Sequence, residues 1–417
     1  MRLNKILILS VCLSALASVS AAAQAPQSPY SRYGYGSLGD NATSAQRAMG
    51  GVGYAMNSGR QINVMNPASY AAIDSLTFLF DMGVDLNNLW TTEATSAGTN
   101  HGKKLGGGLD YVTLQVPLTR WGGASVGLLP FSSVGYSFGD QILNGTQARQ
   151  GSGGINQLYL GIAARPFKGF SLGANVSYLF GNITHDTYAY TSSGSVSLFE
   201  RVMEVKDYHL DFGVQYSYNI DRRNRLTAGI TFSPGKALLG RSIGLMYDTN
   251  KDAAPDTVAN FSMRRRNSLP DSWGLGINWQ WNERLMVEAD ATIQQWSKAR
   301  YSSIEGFEDN RFVNRYKAAL GAQYIPHPRG SYLQRVQYRF GVSATRDYWT
   351  VQGNTVREYG IHAGFGLPTP TSKTMINIGV EYRHRQAHPN PLVKEQYLLV
   401  TLGVNFNELM FFQNKLR

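Results

Sequence analysis

From about Asp74 to Phe406 the chain repeats one pattern. Apolar and polar residues alternate over a stretch, a turn follows, and the alternation resumes. In Leu285-Met286-Val287-Glu288-Ala289-Asp290-Ala291-Thr292-Ile293 the odd positions are apolar and the even ones mostly polar. Ile376-Asn377-Ile378-Gly379-Val380-Glu381-Tyr382-Arg383 alternates in the same way and admits charges. Successive strand side chains point to opposite faces, so each segment has one greasy face and one that carries Glu, Asp and Arg. A soluble sandwich would bury the greasy face against a second sheet. A transmembrane barrel turns it to lipid and gives the polar face to a lumen.

The alternation predicts about fourteen strands, near 74–90, 107–118, 122–138, 154–166, 170–190, 199–219, 225–247, 257–281, 285–301, 310–325, 333–349, 354–367, 374–386 and 394–406. Tight turns such as Lys168-Gly169 and Asn282-Glu283-Arg284 alternate with longer polar stretches at 91–106, 139–153 and 302–309. Short turns on one side, longer loops on the other and an even strand count are the marks of outer-membrane barrels. The fold class expected is therefore all-β, an antiparallel transmembrane β-barrel. Aromatic residues collect at strand ends, with Tyr216, Tyr218, Trp279, Trp281, Tyr324 and Phe406 on the periplasmic side. Trp90, Tyr136, Trp296, Trp349 and Tyr382 mark the outer side. Two such girdles fit the two membrane interfaces.

Glycines recur on the lumen-facing positions, among them Gly161, Gly213, Gly229, Gly321, Gly341 and Gly403. Glycine within a strand often marks close approach of another backbone. The lumen is accordingly expected to be shaped around a filling, most simply the chain's own N-terminal segment acting as a hatch. The expected organisation is a signal peptide at 1–23, a hatch at 24–73, the barrel at 74–406 and a periplasmic tail at 407–417.

The ends and the composition narrow the setting. Arg2 and Lys5, the apolar run from Ile6 to Leu16 and the small residues Ala21-Ala22-Ala23 form a secretory leader. Cys12, the only cysteine, lies inside it, so no disulfide braces the exported chain. No later stretch is long and apolar enough for a transmembrane helix. The formal charge is +11, or +9 without Arg2 and Lys5, and it is spread over turns and loops. Nucleic acid is not an expected partner. The bases read as solvated turns and contacts with lipid head groups.

Residues ahead of the first strand carry a resemblance. Arg47-Ala48-Met49-Gly50-Gly51-Val52-Gly53-Tyr54-Ala55-Met56 precedes Asn66-Pro67-Ala68-Ser69-Tyr70. Here the chain resembles the FadL/TodX family of outer-membrane transporters for hydrophobic compounds, which have a glycine-rich hatch followed by Asn-Pro-Ala just before strand one. Asn66, Pro67 and Ala68 match that motif. Leu269-Pro270-Asp271-Ser272-Trp273 and Gln295-Trp296-Ser297 are similar to family segments downstream, and the likeness extends to a divergent Bacteroidota branch. The resemblance implies a fourteen-stranded barrel closed by a hatch. A hydrophobic ligand would bind from outside and leave sideways into lipid through a gap at a kink in strand three. Pro130 is the candidate for that gap, because proline donates no ladder hydrogen bond.

Alternation also places His209, Asp211, Glu288, Asp290, Arg339, Glu358, His362, Glu381 and Arg383 on the inner wall. Buried charges need partners. Mutual pairing and water are the plain expectation. A sharper one is a latch in which Arg47 and Arg60 of the hatch dock on Glu288, Asp290 or Glu381. Arg339 and Arg383 are the candidate contacts for an acidic ligand. No metal-ligand spacing, nucleophile elbow or zinc-protease motif is present, so no catalytic residue, metal or cofactor is assigned. His209 with Asp211 is a weak acid–base pair.

Two functions remain in view. The first is an outer-membrane channel for small hydrophobic molecules, fatty-acid-like or aromatic, in contact with outer-membrane lipid. The second is a non-transporting barrel of the same fold that partners envelope proteins in secretion or outer-membrane assembly, as relatives in type IX secretion do. An apolar pocket meeting a side opening would favour transport, and an occluded lumen the second. Phe406 is expected to close the last strand, with Asn407 to Arg417 beyond it.

Overall fold

The computed structural model describes residues 28–95, 98–142, 145–192, 195–249, 256–264, 267–301, 312–369 and 373–409. The leader at 1–23, the 302–309 loop and Phe411, Phe412, Lys415 and Arg417 of the tail lie outside them. Among the described residues no helix is long and apolar enough to cross a membrane. The crossing elements are strands.

Fourteen antiparallel strands close into a barrel. They are β1 Thr77–Thr95, β2 Gly98–Thr119, β3 Gly122–Ile142, β4 Gly145–Phe167, β5 Phe170–Thr191 and β6 Val196–Asn219. Next come β7 in two pieces, Asn224–Ser233 and Arg241–Thr249, and β8 in two pieces, Asp256–Arg264 and Ser272–Trp281. The rest are β9 Leu285–Gln294, β10 Arg315–Tyr324, β11 Gln337–Val351, β12 Asn354–Pro368, β13 Met375–His388 and β14 Val393–Leu409. Closure is the pairing of β14 with β1, from Val393↔Glu93 to Leu409↔Thr77. Closure of the sheet gives the spanning backbone groups partners within the wall everywhere except along part of the β2–β3 contact.

Periodicity sets the two faces as expected. Phe340, Ile361, Val380, Val400 and Leu402 are exposed on the outside, while Asp81, Gln115, Asn175 and Glu381 are buried within. Several boundaries move. Of the stretches expected as loops, 91–95, 98–106, 139–142 and 145–153 are strand, so β1–β4 rise well beyond the apolar band. The last strand runs past Phe406 to Leu409.

Strands expected to be continuous at 225–247 and 257–281 both break at one level, beside Pro234 and Pro270. Their excursions pair with each other, Ser268↔Ala237 and Leu269↔Lys236, and bury Leu238 and Leu269. Facing the break on β6, Asp207 accepts from Lys236 Nζ at 2.5 Å and from the Leu239 N–H at 2.8 Å, replacing ladder bonds that β7 no longer supplies.

The girdle expectation needs correction on its outer side. Tyr216, Tyr218, Trp279, Tyr324 and Tyr382 do face outward, but Tyr136, Trp296 and Trp349 are buried in the bore. An extra residue in one strand inverts the facing of every later residue in it. Phe131 is such a residue in β3, and Trp296 sits on a short 3₁₀ turn beyond β9, whereas Trp349 shares the inward odd-numbered positions of Arg339 and Gly341, a parity that the two-residue shift after Arg346 preserves.

Candidate functional site

Residues 28–76 bond to inward-facing groups of strands on opposite sides of the closed wall, which puts this N-terminal segment inside the barrel. Its backbone lies against the inward glycines. A Cβ at Gly229 would sit 1.9 Å from the Tyr54 carbonyl oxygen, and one at Gly341 2.2 Å from the Met49 carbonyl carbon. Only glycine admits a second backbone this close.

The lower layer is held by amides. Asn66 opens a 3₁₀ turn over Pro67–Ala72, and its Oδ1 accepts from the Ala68 N–H at 3.1 Å. Asn66 Nδ2 donates to the Tyr54 carbonyl at 2.6 Å, and a Cβ at Gly213 would collide with the Asn66 side chain. Pro67 and Ala68 lie against Gly173. Asp290 accepts the N–H groups of Gly53 and Tyr54 at 2.7 and 3.0 Å, and Glu288 accepts that of Ala55 at 2.8 Å. These two carboxylates therefore hold backbone and not the expected arginines. Arg60 is exposed at a bend and makes no ion pair among the described residues. The polarity runs the other way here, since wall residues Arg165 and Arg225 donate to the carbonyls of Ala71 and Asn57 at 2.8 and 3.0 Å.

Above it lies a layer of charge. Arg47 Nη2 is 2.8 Å from Asp110 Oδ1, while its other nitrogen is 3.9 Å from Glu381. Burial opposes the Arg47 charge, but Asp110 and Glu381 outweigh it and raise its pKa. Asp40 lies 2.9 Å from Lys317 and 3.4 Å from Arg315. Burial resists its ionisation too, yet Lys317, Arg315 and Arg383 hold its carboxyl far below the ordinary carboxylate range.

Glu381 takes Arg383 at 2.5 Å and His362 at 3.4 Å, and Arg385 takes Glu358 at 2.6 Å. Arg383 is thus spent on wall carboxylates. Arg339 is likewise spent on Gln323, Asn377 and Gln337. The partners of Arg383 are thus acids, whereas those of Arg339 are neutral amides. His209 contacts Asp211 at 3.1 Å, but the Ser233 hydroxyl donates to that same carboxylate at 2.5 Å and not to the imidazole. That order cannot activate a serine. Among the described residues no three His, Cys, Asp or Glu side chains converge on a metal position.

The upper layer is aromatic. Tyr35 of the N-terminal segment is fully buried beside Trp296, Tyr301 and Phe312, and Trp296 stacks on Tyr348 at 4.3 Å. Tyr348 Oη accepts from the Tyr35 N–H at 3.0 Å and donates to the Gly36 carbonyl at 2.8 Å. Tyr30 donates to the Val393 carbonyl at 2.6 Å, and Ser28 to Glu395 at 2.7 Å.

Between the layers the wall has a seam. The β2–β3 ladder runs from Thr119↔Gly122 only to Val112↔Leu128. Two residues further on stands Pro130, which supplies no N–H, and bulges interrupt both strands nearby, at Asp110 in β2 and Phe131 in β3. The edge of β3 past that point pairs instead with the N-terminal segment, Leu38↔Ser132 and Ser37↔Ser133. The N–H groups of Gly39 and Ser28 add bonds to the carbonyls of Phe131 and Gly135. A cavity of about 110 Å³ lies beside this patch, lined by Leu38, Phe131, Asp40, Asp211, Arg315 and Lys317 among others.

Alternation could have found Arg315 and Lys317, which sit on inward positions of β10. Nothing local marks Asp110, because its inward aim comes from the bulge.

Solved structures share this architecture. The Pseudomonas putida toluene transporter TodX matches with TM-score 0.62 and 13% identity, over 90% of this chain and 100% of that one. A Pseudomonas aeruginosa FadL homologue gives 0.62 and 13% over 88% and 99%, and the CymD monoaromatic hydrocarbon channel 0.59 and 12% over 91% and 99%. At such identities the likeness is one of fold. No curated protein matches the sequence significantly. The family model that matches is BamG, over residues 3–417. A fold shared with outer-membrane hydrocarbon channels thus carries a chain that belongs to the BamG family.

Proposed function

We propose that this barrel acts in the outer membrane as an occluded partner of other envelope proteins and not as an open conduit. The observation that carries this is the aromatic layer. Where an oily solute would have to enter from outside, the bore holds the chain's own Tyr30 and Tyr35, packed on Trp296, Phe312 and Tyr348. The adjoining cavity of about 110 Å³ sets Asp40, Asp211, Asp290, Arg315 and Lys317 beside Leu38, Val64 and Phe131 in its lining. It is smaller than the ~150 Å³ apolar void that takes up benzene in another protein, and its charged lining disfavours a greasy guest. The BamG match supports the same reading, in the direction of envelope protein interactions.

The experiment is gentle purification from the native membrane, with attached proteins and bound small molecules identified together. Stoichiometric protein partners with an empty bore are expected. A hydrophobic compound retained in the bore, with uptake of that compound lost on deletion, would reject the reading.

A second reading is favoured by the seam. A hydrophobic molecule could leave sideways between β2 and β3 if the Ser37–Leu38 strand swung away from β3, which makes the N-terminal segment a hatch and Pro130 the start of a lateral gap. Release into adjacent lipid suits an apolar solute. A disulfide between L38C and S132C would lock that strand in place. Uptake that is blocked by the lock and restored by reduction would support transport.

A further inference from the structure

Outside the barrel, charge is sorted by face. On β11, β12, β13 and β14 the acids Asp347, Glu358, Glu381 and Glu395 all point inward, where Arg315, Arg383 and Arg385 neutralise them. The outward positions of the same strands are apolar through the membrane band and then turn basic. On β11 the run Phe340–Val342 gives way to Arg346, and on β12 Ile361 and Tyr359 give way to Arg357. On β13 Val380 and Tyr382 precede His384, and on β14 Val400 and Leu398 precede Lys394. β2 continues the sector with Lys103 above Leu105. Arg346, Arg357, Lys394 and Lys103 are the first charged residues above the band, and no acid stands among them.

Two observations set this sector apart from ordinary surface charge. Arg346 and Arg357 are direct cross-strand partners on the same outward face. Like charges so placed repel unless an anion lies between them. Across the barrel the corresponding bases are already neutralised, because Glu204 takes Lys206 at 2.5 Å and Arg241 at 2.9 Å. Neither Arg346 nor Arg357 has such a partner among the described residues. Aromatic residues are interleaved with the bases, Tyr359 opposite His384 and Trp90 opposite Lys103, as at a membrane interface.

We propose that this sector, centred on Arg346 and Arg357, binds the phosphate-bearing head group of an outer-leaflet lipid. Paired guanidinium forks match phosphate oxygens and stay charged at every physiological pH. The occupant is a lipid because the bases stand directly over the lipid-facing wall. A head group held there lays its acyl chains along Phe340, Val342 and Ile361.

The test uses the full chain in phosphatidylcholine nanodiscs doped with a diphosphorylated glucosamine lipid or with its dephosphorylated form, and retained lipid is counted by native mass spectrometry. Wild type is expected to keep the phosphorylated lipid and lose the dephosphorylated one. R346Q/R357Q should retain about tenfold less, as loss of two charge-assisted contacts implies. The control K206Q/R241Q should retain as much as wild type. If R346Q/R357Q fails to fold, K394Q/K103Q reads the same sector and should also lose lipid. Equal retention of the two lipids, or an unchanged count in a folded variant, would overturn the proposal. So would loss of an attached acidic protein with lipid retained, which assigns the sector to a protein surface.

Discussion

Continued in register, the β2–β3 ladder would set Asp110 opposite Pro130; instead Asp110 is bulged into the bore, where it meets Arg47 at 2.8 Å. The residue that would have faced a missing donor becomes the anchor of the N-terminal segment. A break in the wall and a clamp inside it are thus one feature.

Removing that anchor strands a mostly buried guanidinium. D110N is expected to weaken the docking of the N-terminal segment by about 2–4 kcal/mol, the range for breaking a buried pair. Cys12 is the only native cysteine, so S31C in a C12S background reports on a fully buried position. Its labelling should be slow alone and much faster beside D110N. Unchanged labelling would show that Arg47 is held by Glu381 instead.

R60A should leave that labelling rate unaltered, because Arg60 is exposed and makes no ion pair among the described residues. A faster rate would mean that its charge acts on the segment at a distance.

Gly229 is expected to tolerate no side chain. G229A forces a methyl against the Tyr54 carbonyl, and overpacking of this kind costs roughly 1–3 kcal/mol. The barrel closes through its ladders and not through this contact, so the heat-modified gel shift of the folded barrel should survive while S31C labelling rises. Loss of the folded band would place the glycines in barrel closure instead.

D290A leaves the N–H groups of Gly53 and Tyr54 without their acceptor, at about 1–3 kcal/mol for each group that water cannot reach. D290N keeps an acceptor oxygen and should recover part of the loss. Equal damage from both would mean that the charge, and not the oxygen, is what the segment needs.

Asp40 predicts a pH dependence. Its folded pKa lies below the ordinary value near 3.9, so its contribution is complete above that value and is lost as pH falls through the folded one. The stability gap between wild type and D40N should hold constant from pH 7 to about 4 and close only in stronger acid. A gap that closes near neutrality would show that Lys317 and Arg315 do not hold the carboxylate ionised.

Alternation alone determined the architecture, because a strand's facing comes from a period of two that needs no tertiary knowledge. Strand number, the inward charges from His209 to Arg383 and the glycine-lined bore were all legible in that way. The Asn66-Pro67-Ala68 turn was legible from its residue types. The tertiary structure decided what the period cannot carry across an irregularity. Bulges at Asp110 and Phe131 invert the facing of the residues beyond them, so Tyr136 passed from an expected girdle into the core. Pairing among inward charges was equally out of reach. Many carboxylates and guanidiniums share one bore, and only the path of the N-terminal backbone selects Asp110 for Arg47, Lys317 for Asp40 and bare N–H groups for Glu288 and Asp290.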